Sequence, residues 1–500
     1  LITAKIGSKV YKRFDSLEEY FQPFRSQVIG MNQQFASPYG IKKIIYADWT
    51  ASGRLYRPIE QKISEVFGPY MANTHTESNI TSLMMTGIYK QSKKIIKEHV
   101  NADEHDVVIL DGFGMTSVMN KFQRMLGIRI PEKIKPYIKI PEEARPVVFL
   151  THMEHHSNQT NWIETIADIV IINPDVNGQV DVKELKSLLQ KYKDRPLKIG
   201  SFSACSNVTG IQTSFHQLAK ILHEHGGICL VDFAASAPYI TIDMHPSNPM
   251  EKLDAIFFSP HKFLGGPGSS GVMVFDSRLY KNKVPDHPGG GTVLWTNPWG
   301  EHHFYPDIEL REDGGTPGIL QAIRTALCLN LKNQMGVEKI VRREKQLLAL
   351  LLTHLEKIPT VHIFEGQVKN RLGIVSFSID KVHYNLIVRL LNDRFGFQVR
   401  GGCSCAGTYG HYLFKLNKEA SKQITKKIDQ GDLSVKPGWV RFSLHPIMTD
   451  EEILLFVRAV EEIAMNIEEW KKDYVYDPKS NDYFYIHHIR EDMEPLFRFD

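Results

Sequence analysis

The stretch Ser259-Pro-His-Lys262-Phe-Leu-Gly-Gly-Pro267 decides how the rest of the chain is read. The segment before it, Leu253-Asp-Ala-Ile-Phe-Phe258, has the apolar run of a short buried strand. After it, Gly265 to Gly271 must bend sharply before Val272-Met-Val-Phe275 resumes as another strand. A lysine set between a buried strand and a glycine-rich bend is partly desolvated. Desolvation lowers the amine's pKa and raises the fraction of neutral nucleophile able to attack an aldehyde. A lone Ser-x-His-Lys would still read as a surface loop, so the weight falls on what lies thirty residues upstream.

There, Gly226-Gly-Ile-Cys-Leu-Val-Asp232 is an apolar strand ending in a carboxylate, preceded by the helix-like Gln217 to His225. Ligands of open α/β sheets bind at the carboxyl ends of the strands, where Asp232 falls. A carboxylate at that point can hold a pyridine nitrogen protonated, with an attraction of about 5 kcal/mol at ~3 Å and an effective dielectric of about 20. Asp232 and Lys262 together therefore point to pyridoxal phosphate held on Lys262 as a Schiff base. A phosphate seat is supplied by Asp111-Gly-Phe-Gly114-Met115-Thr116-Ser117, between the strand Asp106-Val-Val-Ile-Leu110 and a helix from Val118. Free N–H groups and the helix dipole stabilise an anion at such a turn.

The chain around these elements alternates strands and helices. Ile44 to Asp48, Pro146 to Leu150, Ile169 to Ile172, Gly178 to Asp181, Lys198 to Phe202 and Cys205 to Gly210 read as strands or strand-like turns. The helices expected among them are Leu17 to Phe24, Pro58 to Gly68 and Thr86 to Val100. That βαβα order predicts an α/β fold with a mostly parallel sheet and helices on both faces. Long helical periodicity from Leu320 to Leu355, followed by strands at Gly373 to Ser378, Phe397 to Arg400 and Trp439 to Leu444, predicts a second, smaller α+β domain. The expected division is 1–70 as an N-terminal segment joining the small domain, 71–318 as the cofactor domain, 319–470 as the small domain, and 471–500 as an aromatic tail packing on the fold. Lys121 to Arg145, basic and interrupted by three prolines, reads as a surface insertion with a solvated face. Asn73 to Asn79, with His75, reads as a polar loop. The glycine-rich turns Pro288 to Gly291 and Glu312 to Pro317 read as segments able to reach a neighbouring subunit.

Composition narrows the function. The chain has 500 residues, 42% hydrophobic and 23% charged, with a net charge of +3, too small at this length to argue for a nucleic acid or membrane partner. No apolar run approaches a membrane span, and Leu1 to Arg25 is too charged for a signal-peptide core, so the expected location is cytoplasmic. Five cysteines do not make a disulfide framework. His152, Glu154, His155 and His156 match no zinc motif, so no metal is expected; His155, at a strand end, can instead lie flat against an aromatic cofactor. Arg441, inside the apolar strand Trp439-Val-Arg-Phe-Ser-Leu, needs a partner: a substrate carboxylate or an internal ion pair.

The assembled order resembles the class V aminotransferase family of pyridoxal phosphate enzymes, most closely its cysteine desulfurase and selenocysteine lyase branch. The residues that carry the resemblance are Gly114-Met115-Thr116, Glu154-His155-His156, Ser206-Asn207-Val, Asp232-x-Ala234, Ser259-x-His261-Lys262, Gly315-Thr316-Pro317, Arg400-Gly-Gly-x-x-Cys405 and Arg441-x-Ser443. The resemblance implies a fold type I homodimer with the active site at the subunit interface. It implies Lys262 as cofactor lysine and proton shuttle, His155 stacked on the ring, Asp232 on the pyridine nitrogen and Asn207 near the ring hydroxyl, with Ala234 and Met115 in the cofactor site. On the same resemblance Thr116, Ser259 and His261 would bind the phosphate, with Thr316 arriving from the second subunit. It also implies that Arg441, with Arg400 and Asn158, would take the amino-acid substrate. The implied reaction removes sulfur or selenium from cysteine or selenocysteine through an external aldimine, leaving alanine and a persulfide on Cys405 that a sulfur-acceptor protein can collect. An aminotransferase or epimerase on the same cofactor, and a fold type I scaffold without turnover, are the alternatives. Three features depart from the family pattern: Ala235 stands where desulfurases commonly have glutamine, Cys403-Ser-Cys405 looks more like the Cys-x-Cys of the molybdenum cofactor sulfurases, and the insertion and tail are unmatched.

Overall fold

The computed structural model describes residues 14–74, 76–487 and 492–499. His75 and the start of the N-terminal segment therefore lie outside the described residues. Seven strands form the main sheet: β1 (Asp106–Asp111), β2 (Val147–Thr151), β3 (Asp168–Ile172), β4 (Lys198–Ser203), β5 (Ile228–Asp232), β6 (Ala255–Phe258) and β7 (Gly271–Asp276). Their spatial order is β1-β7-β6-β5-β4-β2-β3. The five from β6 to β3 are mutually parallel, and β7 runs antiparallel to both of its neighbours. A sheet buried on both faces needs continuous apolar strands rather than alternating ones. β2 meets that requirement: Val147 and Phe149 enter one core while Val148 and Leu150 enter the other. The helix Met115–Met125 packs into the second core, and Val182–Lys191 and Phe215–Glu224 into the first, so helices cover both faces.

A second sheet contains β8 (Val361–Ile363), β9 (Ile374–Ile379), β10 (Arg400–Gly402) and β11 (Trp439–Ser443), all antiparallel in the order β8-β9-β11-β10. The helix Asp450–Trp470 packs on it, with the Phe456 and Phe442 rings 3.9 Å apart. The N-terminal segment joins this region: Ile45–Tyr46 pairs in parallel with Phe397–Gln398, and Ser443 donates its N–H to the Ala47 carbonyl at 2.8 Å. The residues after the helix Asp450–Trp470 form a hairpin, Tyr474–Asp477 with Asp482–Tyr485, whose Tyr476 and Tyr483 rings pack against His383, the cap of the helix Tyr384–Leu390.

Several sequence expectations are corrected. The periodicity from Leu320 to Leu355 is two helices, Ile319–Met335 and Val337–Leu355, separated by Gly336, whose φ of +77° ends the first helix. Gly178 to Asp181 is a turn and helix cap, with Asp181 accepting the N–H groups of Lys183 and Glu184. Lys121 is not part of a solvated insertion. It lies inside the helix Met115–Met125 and is 1% exposed, with its ammonium 3.0 Å from Glu312 and 3.7 Å from Asp286. Burial is possible because Glu312 also accepts the Tyr280 hydroxyl, so the charges are paired and hydrogen-bonded. Exposure begins further on, where the short turns Lys135–Tyr137 and Glu142–Ala144 carry no buried residue.

Candidate active site

Asp232 and Lys262 come together because β5 and β6 are neighbours that end side by side, Asp232 opposite Phe257. Lys262 follows β6 in a single tight turn, Pro260–Lys262. The N-terminal segment crosses directly over this turn: Gly53 donates its N–H to the His261 carbonyl at 2.8 Å, and a Cβ at Gly53 would stand 1.9 Å from the Phe263 carbonyl oxygen. Any side chain at position 53 would push the lysine turn out of place. A cavity of about 400 Å³ opens above it, lined by the last residues of β4 and β5, by the segments that follow β1, β2, β4, β5 and β6, and by the small sheet. That volume suits a small cofactor together with its substrate.

Burial pulls the Lys262 amine down to about 8, helped by the charges of Arg441 and Arg400 and opposed by Asp232 and Asp48. Burial also pushes the Asp232 carboxyl up to about 7, against the opposing Ala234 N–H and the Lys262 charge. The Ala234 N–H reaches Asp232 Oδ1 at 2.8 Å. The two shifts share desolvation as their main cause, and each charge relieves the other only in part. His155 caps the helix His156–Ile163, its Nδ1 accepting the Ser157 N–H at 3.1 Å. Burial, then Lys262, hold the imidazole down to about 3, so it is neutral and carries its proton on Nε2.

The residues present fit pyridoxal phosphate. At one end of the cavity the helix Met115–Met125 begins after Gly114 with no side-chain cap. Ser259 Oγ accepts the Met115 N–H at 2.8 Å, which leaves the hydroxyl proton to donate elsewhere. Thr116 donates to Ser157 Oγ at 2.7 Å, leaving the Ser157 proton similarly placed. A Cβ at Gly114 would lie 3.0 Å from Ser259 Oγ and 3.5 Å from the His261 ring, so the glycine is what keeps this cradle open. Helix N–H groups, two hydroxyls and an imidazole converging at a helix N-terminus have the chemistry to take a phosphate. At the other end Asn207 gives its amide N–H₂ to the Ser404 carbonyl at 2.7 Å, while its Oδ1 is buried with no partner among the described residues.

Arg441 is 3% exposed and gives one guanidinium nitrogen to the Asn207 carbonyl at 3.0 Å and another to Asp48 Oδ1 at 2.8 Å; its Nε is buried without a partner among the described residues. Arg400 contacts the other oxygen of Asp48 at 2.9 and 3.0 Å. Two guanidinium groups thus share one carboxylate beside the cavity, a net positive charge that can take one more carboxylate. Asp48 was missed as a site residue. Its signal, a polar residue closing a short strand, is the same one that marked Asp232, but the two arginines that give it meaning lie 352 and 393 positions away.

Cys405 lies on the cavity wall and is exposed, while Cys403 is half-buried. Ser404 and Cys405 have φ of +52° and +56°, a left-handed pair that costs roughly 1–2 kcal/mol per residue. The loop is held in that form from several sides. Trp439 donates to Ser404 Oγ at 3.1 Å, His156 N–H to the Cys405 carbonyl at 2.7 Å, and Gly407 N–H to His156 Nε2 at 2.9 Å.

The cavity brings together Gly114, Met115, Thr116, His155, Asn207, Asp232, Ala234, Ser259, His261, Lys262, Arg400, Cys405 and Arg441. It does not include Asn158, expected at the substrate. Asn158 is fully buried beneath the floor, donating to Glu154 and the Ser201 carbonyl and accepting from Ser201 and Trp162. Its capacity is spent on holding β4 to the helix His156–Ile163. Thr316 also stands outside the cavity, exposed on a loop whose Gly315 N–H bonds to the Gly290 carbonyl at 2.8 Å. Glu154 is buried, its two oxygens accepting from Thr151, Asn158 and Ser203.

A lysine just past the sixth strand and a carboxylate ending the fifth, on a mostly parallel seven-stranded sheet, define the fold type I class. The chain belongs to the aminotransferase class-V family, a family of pyridoxal phosphate-dependent enzymes, whose profile matches residues 45–456. It is 24% identical over 440 residues to a probable cysteine desulfurase of Pyrococcus abyssi, covering 85% of this chain and 96% of the relative. A probable cysteine desulfurase of Streptomyces coelicolor is 25% identical over 369 residues, 73% of this chain and 84% of the relative. Among solved structures, the apo cysteine desulfurase of Thermococcus onnurineus superposes with a TM-score of 0.69 at 22% identity, covering 89% of this chain and 98% of that one. The Escherichia coli cysteine desulfurase CsdA in its S-sulfonic acid form gives the same TM-score and coverage at 20% identity. Among the described residues no helix is long and apolar enough to cross a membrane.

Proposed function

We propose that the protein removes sulfur from cysteine, leaving alanine and a persulfide on Cys405, with selenium taking the place of sulfur when selenocysteine is bound. The observation that carries this reading is an exposed thiol, held on a strained loop, in the same cavity as a partly neutralised lysine and a pair of arginines. The cysteine desulfurases among its relatives support it.

When bound, pyridoxal phosphate supplies an electrophilic carbon for the substrate amine and a ring that withdraws electrons from the bonds at Cα. Thr116, Ser259, His261 and the first N–H groups of the helix Met115–Met125 would hold its phosphate. Asp232, as a carboxylate, would keep a proton on the ring nitrogen, and His155, as a neutral imidazole, would lie against the ring. Arg441 and Arg400 orient the substrate carboxylate. Lys262, with its pKa lowered to about 8, takes the proton from Cα near neutral pH. Cys405 as thiolate attacks the substrate sulfur: an S–S bond forms while the Cβ–S bond breaks, and the electron pair goes to Cβ. Cβ then takes a proton that Lys262 delivers. The substrate carbon is thereby reduced and the Cys405 sulfur oxidised to the persulfide level. The reading takes the enzyme as a homodimer, since Thr316 stands away from its own cavity where a second copy's can meet it.

Incubation with cysteine is expected to release alanine and sulfide in equal amounts once a thiol reductant is added. Mass spectrometry of the loop peptide should show one added sulfur on Cys405, and Cys405→Ala should lose alanine formation while keeping the visible absorption of the cofactor. Brisk amino-group transfer from other amino acids, with no sulfur added to the loop, would replace this reading with an aminotransferase.

A further inference from the structure

The hairpin Tyr474–Tyr485 lies beyond residues 45–456, the part that matches the family profile, yet it bonds to Tyr384 and Asn385, the first residues of the helix that packs on the strand leading into the thiol loop. Its turn residue Asn481 is 8% exposed and has φ of +56°, a conformation that asparagine tolerates better than most side chains. Asn481 Nδ2 donates to the Tyr384 hydroxyl at 2.6 Å, Tyr476 donates to Asn481 Oδ1 at 2.8 Å, and Asn385 donates its side-chain N–H₂ to the Asn481 carbonyl. The Tyr384 hydroxyl in turn donates to the Lys436 carbonyl at 3.2 Å.

Tyr384 and Asn385 pack directly on the backbone that leads into the thiol loop. A Cβ at Gly401 would stand 2.3 Å from Asn385 Oδ1 and 3.3 Å from the Tyr384 ring, and one at Gly438 would stand 2.6 Å from that ring. Three glycines, Gly401, Gly402 and Gly438, thus let a tyrosine ring lie against β10 and the entry to β11. The far end of the thiol loop is fastened to the main sheet by His156 and Asn207; the near end, Gly401-Gly402, is edge backbone braced by Tyr384 and Asn385.

We propose that the C-terminal hairpin is a positioning element of the active site, in which Asn481, through Tyr384 and Asn385, sets where β10 delivers Cys405. The consequence for turnover rests on the reading of Cys405 as sulfur acceptor; the consequence for the thiol's reactivity does not. Asn481 touches neither substrate nor cofactor. Its loss frees one end of the thiol loop, so Cys405 samples solvent more widely and meets the substrate sulfur less often.

The test uses the cofactor-loaded protein and two variants. Asn481→Gly keeps the positive φ and removes the side-chain bonds; Tyr384→Phe keeps the ring and removes the hydroxyl that Asn481 holds. Both should keep the visible absorption of the cofactor and the KM for cysteine. In both, Cys405 should alkylate with iodoacetamide at least three-fold faster relative to Cys403, read by peptide mass spectrometry, and kcat should fall several-fold. In Cys405 alkylation the double variant should add little to either single one, because the bond the two side chains share, from Asn481 to the Tyr384 hydroxyl, is the one that braces β10. Unchanged Cys405 alkylation in both variants overturns the proposal, as does a loss of cofactor absorption in parallel with activity, which would mark the hairpin as general scaffolding. If the wild type forms no persulfide, the proposed function falls, while the alkylation comparison still decides the positioning role.

Discussion

Asp232→Asn in the cofactor-stripped protein should raise stability at neutral and alkaline pH. Burial holds the Asp232 carboxyl up at about 7, against an ordinary value of 3.8. The folded state therefore binds this proton more tightly than the unfolded chain, and stability falls as pH rises from about 4 to about 7. Three pKa units at about 1.36 kcal/mol each give a penalty of about 4 kcal/mol above pH 7, and well under about 1 kcal/mol at pH 4. Asparagine keeps the bond from the Ala234 N–H and carries no charge to desolvate. It also removes the attraction that partly holds up the Lys262 pKa, so the net gain is smaller, about 2–4 kcal/mol. For a 500-residue chain melting as one unit, that is a gain of about 2–4 °C. The assay is a set of melting curves for stripped wild type and variant between pH 4 and pH 8. A variant that is equally stable at every pH, or whose advantage grows toward acid, would refute the account of Asp232 as a buried, desolvated carboxyl. Loaded with cofactor, the same variant should lose nearly all turnover, because an amide cannot hold a proton on the ring nitrogen.

Arg441→Lys should raise the KM for cysteine about 30-fold or more with a smaller effect on kcat, since a single ammonium lacks the planar fork whose separate nitrogens reach the Asn207 carbonyl and Asp48; a truncated charge pair of this kind costs roughly 2–5 kcal/mol. An unmoved KM would leave Arg441 as an internal ion pair only. Lys121→Met should destabilise by about 3–5 kcal/mol, because Glu312 and Asp286 would lose their buried partner, and adding Glu312→Gln should recover part of it. A melting temperature within about 1 °C of wild type would show that Lys121 is dispensable to the loops it anchors.

Much of the fold was legible from local pattern. Each strand of the main sheet is a short apolar run, and the residues that close β1, β5 and β6 are polar, glycine-rich or charged, so Asp232, Lys262 and the Gly114-Met115-Thr116 turn could be placed at strand ends before any pairing was known. Burial periodicity and turn chemistry are properties of neighbouring residues, and they survive in one dimension. Partnership does not. Lys121, Asn158 and Asp48 carry the same side chains whether exposed or buried, paired or free. What separates a solvated lysine from one sealed between Glu312 and Asp286, or a substrate-facing asparagine from one bonded to Glu154 and Ser201, is a group far away in sequence brought close by the crossing of strands. The same holds for the thiol loop. Its two cysteines are plain in the sequence, but the left-handed turn that presents Cys405 depends on Trp439, His156 and Asn207, and the bracing of β10 on a hairpin eighty residues further on. Local free energies choose helix and strand; the cost of burying a charge or a polar group is met only by its tertiary partners, and those are decided by the fold as a whole.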